Sequence, residues 1–300
     1  MKPSSAREQS DGEPPSRRRG RKPAPIDASV GAAHRALLEH VRDCFTESRL
    51  RQEELVRRSG YSKARISEFL RGKGYYPSWM MTYSVVAALR MDIPLPPVCR
   101  LWTAGAREAG KKNAWIHECI QEVHLPHPGT PPVAYTAFTE TMREPYTAFV
   151  DAVVQHDARA RWIIRETFDI LWLRWHEAAA SEHLPRYAWC LLRARLMERA
   201  RFRDGHVDLR AAAFTTVAQS RIEDLAERFA HISTHAAFFD TVARLPERQF
   251  DVVVLRYLCG VAPDDIPGVV GLPETLVHTL DHHARGALEA IHLATTRSQQ

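Results

Sequence analysis

Apolar residues recur at three- and four-residue intervals through most of this 300-residue chain, and nowhere do they alternate with polar ones over the length of a strand. That pattern predicts an all-α protein, because a helix buries a stripe of every third or fourth residue whereas a half-buried strand buries every second one. Gly60, Gly72, Gly74, Pro77 and the stretch from Pro94 to Pro97 punctuate the first part. Residues 125–132 read LPHPGTPP, and four prolines in eight positions leave no room for a regular element. The expected order is a basic tail over 1–28, a helical domain over 30–120, a Pro-rich linker over 121–132, a helical domain over 133–205, a helical spacer over 206–239 and a last helical domain over 240–292.

Three hundred residues with 45% hydrophobic content exceed what one core usually serves, which implies at least two. The formal charge of +5 suits a polyanionic partner without demanding one. The first 28 residues carry the run Arg17, Arg18, Arg19, Arg21 and Lys22 and no apolar period that packs. Such an arm either tracks phosphates by charge alone or serves as a solubilising leader. No apolar run reaches 18 residues and the N-terminus lacks a hydrophobic signal core, so neither membrane insertion nor secretion is expected and the location expected is cytoplasmic. The five cysteines are far apart, odd in number and form no CxxC pair, which predicts reduced thiols and neither a disulfide frame nor a zinc ribbon.

The segment RQEELVRRSGYSKARISEFLRGKG, from residue 51, has the parts of a DNA-reading helix pair. Gln52 to Ser59 form a short helix with Leu55 and Val56 inward, Gly60 allows the turn, and Ser62 caps the next helix. That helix turns Ile66, Phe69 and Leu70 inward, offers Lys63, Arg65, Ser67 and Glu68 outward, and ends at Gly72. Over 51–73 seven basic residues face three acidic ones, a net of +4. The pattern resembles the Cro/repressor-like (XRE-type) helix-turn-helix family over about residues 35–90. The resemblance implies that Gln52 touches a phosphate beside its helix N-terminus and that Ser62, Lys63, Arg65 and Ser67 face base edges in the major groove, with Arg71 among the DNA contacts. Arg51 departs from the family, which often has Thr there. The run PSWMMTYSVVAALRMD resembles the family's closing helices, with Trp79, Tyr83, Val86 and Leu89 as core.

Residues 245–288 resemble region 4 of the sigma-70 family, above all its extracytoplasmic-function type, through Leu245, Pro246, Leu255, Arg256, Tyr257, Gly260, Asp265, Ile266, Gly271, Ala284 and Arg285. Upstream, IIRETFDILWLRW at 163–175 and PRYAWCLLRARLMERAR at 185–201 resemble region 2 more loosely, mainly through Glu166, Thr167, Phe168, Trp189, Ala194 and Arg195. The likeness implies core RNA polymerase and an anti-sigma-like protein as partners, and secondary DNA or polymerase contacts at Arg193, Arg195, Thr275, His278, Thr279 and Arg285. Four departures weaken it. Arg161 and Trp162 stand where the family has an acidic pair. The last helix carries His278, Leu280 and His283 where the family is basic or polar, so its phosphate contacts are weak at neutral pH. Residues 240–292 hold four basic against eight acidic residues, a net of −4. Pro267 would also fall inside a helix starting near Pro263, at a cost of roughly 3 kcal/mol, so that helix should be short, shifted or kinked.

His278/His282 and His231/His235 have the i, i+4 spacing that metals use, but neither pair has an evident third ligand, and no metal or cofactor is expected. Tryptophans 162, 172, 175 and 189 lie in helical stripes, where core packing is the default. No nucleotide-binding, zinc-protease or nucleophile-elbow motif appears, so no enzymatic activity is expected. The reading is a bacterial DNA-binding transcription regulator with double-stranded DNA as its partner. The competing readings are a working alternative sigma factor and a helical interaction or sensor module that binds no DNA.

Overall fold

The structure, a computed structural model, describes residues 24–89, 92–123, 129–209 and 237–297. It is all-α, as the periodicity predicts. The first helices are α1 (Ala32–Glu47), α2 (Gln52–Ser59), α3 (Lys63–Arg71), α4 (Trp79–Ala88), α5 (Leu95–Glu108) and α6 (Asn113–Gln121). Then come α7 (Val133–Val154), α8 (Asp157–Leu173), α9 (Trp175–Ala180) and α10 (Leu184–Met197). After residue 237 the chain forms a helical stretch over 237–243, α11 (Glu247–Val253) continuing into a π-helical turn (Val254–Leu258), α12 (Ile266–Val270) and α13 (Glu274–Arg297).

The departure from the helical expectation is a two-stranded antiparallel hairpin, β1 (Phe202–Arg203) and β2 (His206–Val207). Asp204 and Gly205 both have positive φ, 52° and 80°, the conformation that Asp-Gly adopts most readily in a two-residue hairpin turn. The last residues of the expected tail are anchored. Asp27 N donates to Arg71 O at 2.9 Å, and Ile26 packs on the first core. The basic run at 17–22, most of the spacer, residues 124–128 of the linker and the His231/His235 pair lie outside the described residues.

Helices α1 to α6 close one core around Trp79 and Trp102, each fully buried. Val86 and Leu89 join it as expected, and Tyr83 packs at its edge. A second core runs from Tyr135 to Ala284 and takes in Tyr146, Phe149, Trp189, Phe250 and Leu255. It takes residues from 163–171, 188–196 and 250–284. Trp189 Nε1 on α10 donates to Asp251 of α11 at 2.9 Å, Arg193 pairs with Asp251 and also with Glu247 at 3.0 Å, and Phe149 meets Phe250 edge-on.

Helix α8 joins the two cores because it is apolar on two faces. Ile163, Ile164, Phe168 and Leu171 enter the second core, while Ile170 and Leu173 enter the first. A helix buried on both sides must also bury its polar residues, and these need partners. Asp169 holds Arg100 of α5 at 2.6 Å, and Glu166 holds Arg199 at 2.5 Å, which reaches on to Glu108 of α5 at 3.4 Å. Arg174 adds a pair with Asp43 of α1 at 2.8 Å.

Candidate nucleic-acid interface

Helix α2 ends in the left-handed turn residue Gly60, φ 77°, with its N–H on Val56 O. Two residues later the Ser62 side chain accepts from Arg65 N at 3.3 Å and caps α3, which ends at Gly72, φ 66°. These are local consequences of the residues present: glycine where φ is positive, serine where helix N–H groups lack partners. The α3 inward face is Ile66, Phe69 and Leu70, and Leu55 of α2 lies beneath, all buried.

What α3 leaves outside is concentrated in its first turn. Ser62, Lys63, Ala64 and Arg65 are exposed, and no described element covers them. Ser67 is half-buried. Gln52 opens α2 and is half-buried. Arg71 sits at the far end of α3; it is half-buried, its Nε has no partner, and its carbonyl is taken by Asp27. The structure therefore gathers Ser62, Lys63 and Arg65 on one accessible turn and sets Arg71 apart from them.

The +4 of this segment is not evenly available. Arg57 and Arg58 both pair with Glu54, at 2.6 and 2.8 Å, and these bonds hold the Glu54 carboxyl below its usual range. Arg65 meets Glu68 at 3.3 Å. Arg51, Lys63 and Lys73 are exposed with no carboxylate in ion-pair range among the described residues. The Arg65–Glu68 pair is a solvent-exposed i, i+3 contact of the kind worth only about 0.5 kcal/mol, so a phosphate or a guanine edge competes with it easily.

The secondary contacts divide. Thr275, His278, Thr279 and Arg285 are exposed along α13, with His278 Nε2 3.5 Å from Glu274. Arg193 and Arg195 are corrected to internal positions. Arg193 is 15% exposed and committed to Asp251 and Glu247, and Arg195 is 11% exposed and pairs with Glu198 at 2.8 Å. Withdrawing Arg193 would strand the buried carboxylate of Asp251, and Arg195 is itself largely buried, so neither reaches out to a nucleic acid. Trp162 departs in the opposite sense: it is 37% exposed, with the Arg199 guanidinium 4.8 Å over its ring, instead of filling the core. The helix containing Pro267 is short and shifted, five residues from Ile266, which puts the proline in its first turn where its missing N–H costs nothing.

No group of three or more metal-binding side chains occurs among the described residues. All five cysteines are free; burial pushes Cys44 up to about 11 and Cys259 up to about 12, far from the thiolate that a nucleophile needs. Among the described residues no helix is long and apolar enough to cross a membrane. No family model, curated protein or solved structure matches the chain.

Proposed function

We propose that the chain is a DNA-binding transcription regulator that reads double-stranded DNA with a helix-turn-helix at α2 and α3, and that its sigma-like half is a docking body for core RNA polymerase or an anti-sigma-like partner. The observation that carries the reading is the exposed first turn of α3, where Ser62, Lys63 and Arg65 project beside a helix N-terminus while the rest of the helix is anchored by Ile66, Phe69 and Leu70. A helix so placed presents donors and positive charge to the groove while its backbone is held rigid. The second half supports the docking role and not an independent promoter reader. Its α11–α13 portion is fused to α10 through Trp189, Arg193 and Asp251, and residues 240–292 carry a net charge of −4.

The test is chromosomal occupancy of the full chain and of its Lys63→Ala, Arg65→Ala double variant in the source cell. The reading predicts discrete occupied sites that the double variant loses while its cellular level is unchanged. An unaltered map would place recognition elsewhere and overturn the assignment to α3.

A further inference from the structure

We propose that the cleft where α1 meets α8 and α10 binds an amphipathic organic anion, an apolar body carrying a carboxylate or phosphate head. The cleft measures about 450 Å³, within the usual range of small-molecule sites, whereas the cavity beside α3 measures about 200 Å³ and falls short of it. Ala36, Ile170 and Leu191 give it an apolar floor, and Arg174, Arg186 and Arg195 stand around them against the single carboxylate of Glu39.

One of these arginines has no ion-pair partner and a second is only partly satisfied. Arg186 is half-buried and has no ion-pair partner among the described residues. Arg195 spends one nitrogen on Glu198 and leaves its Nε and Nη1 buried without a partner. Arg174, in contrast, is satisfied by Asp43 and Glu177. Arg186 is therefore the cation open to a ligand, and an anionic head brought against it gains a charge-assisted bond, with Arg195 adding positive charge nearby. The lining is more apolar than polar, which favours an anion that carries hydrocarbon.

The position gives the site a consequence. Ala36 and Glu39 lie on α1, whose neighbouring Leu37 and Leu38 are fully buried in the core that carries α3, whereas Ile170, Arg186 and Leu191 belong to α8 and α10. A ligand there touches α1 of the first core and α10 of the second at once, and so couples them. That coupling rests on the DNA reading; the binding itself does not.

The test uses the full chain and decanoate, decyl phosphate and decyltrimethylammonium as probes, followed by titration calorimetry and by the rate at which iodoacetamide alkylates Cys190, an exposed thiol on the cleft wall. Both anions should bind and slow alkylation at Cys190, and the cation of equal chain length should do neither. Arg186→Ala should weaken decanoate at least about ten-fold, as loss of a charge-assisted bond does. Binding of the cation as strong as that of the anions, or alkylation of Cys190 in the wild-type chain unaffected by saturating decanoate, overturns the site whatever the variant does. Failure of the DNA reading would leave these results untouched.

Discussion

Four buried titratable side chains pull the stability of the chain in opposite directions below pH 6.5. Burial pushes Glu166 and Asp251 up to about 6, so in the folded chain they hold protons that the unfolded chain has already released. Their contribution is complete below the ordinary carboxyl range and is lost as the pH rises through 6. Burial pulls His34 and His40 down to about 4, so they stay neutral when folded while the unfolded chain protonates them. Their contribution is complete above 6.5 and is lost as the pH falls toward 4. Each proton is worth about 1.4 kcal/mol per pH unit where the two states differ by one, so the two pairs largely offset one another between about pH 4.5 and 6. Replacing Glu166 by Gln and Asp251 by Asn removes one side of the balance. Urea unfolding of that variant should then show stability climbing with pH more steeply than in the wild type across this window, whereas equal slopes would mean that the two carboxyls ionise normally. These residues also mark where sequence reading stops. Glu166, Asp169, Arg193 and Arg195 look like surface charge in a helical stripe, and their burial depends on partners such as Asp251, 58 positions from Arg193, that no local pattern reveals.

Elements were legible where their cause is local. The Gly60 turn, the Ser62 cap and the Gly72 stop follow from one residue each, and Pro267 announced a displaced helix because its ring admits only the first turn. The hairpin at 202–207 carried a clear signal, Asp-Gly between short extended pairs, that the dominant helical period overshadowed. Two glycines separate local from tertiary demands. Gly60 needs only its positive φ, with open space around it, so Gly60→Ala should cost about 1 to 2 kcal/mol. Gly271 has φ 65° as well, but a Cβ there would run into the Arg186 backbone N at the start of α10, so backbone must move. Gly271→Ala should be several times costlier in the same denaturation experiment. Equal costs would deny the close approach of α10 to the turn before α13.

At the scale of the molecule, the described residues form two helical cores sharing α8, with Arg100–Asp169, Arg174–Asp43 and the Glu108–Arg199–Glu166 chain across the seam. The periodicity predicts the helices but not this union, because α8 looks singly amphipathic until both neighbours are in place. The arrangement anchors α3 in the first core while leaving its first turn exposed, and the proposed DNA recognition depends on that turn entering the groove. The most direct measurement is the affinity of the full chain for duplex DNA recovered from its occupied sites, at several salt concentrations, with and without Lys63→Ala and Arg65→Ala. Because both side chains are exposed, the double variant should melt with the wild type; it should bind more weakly by about 1 to 3 kcal/mol for each base-reading side chain removed, and its affinity should depend less steeply on salt. Wild-type affinity and salt slope in the double variant would contradict DNA reading by α3.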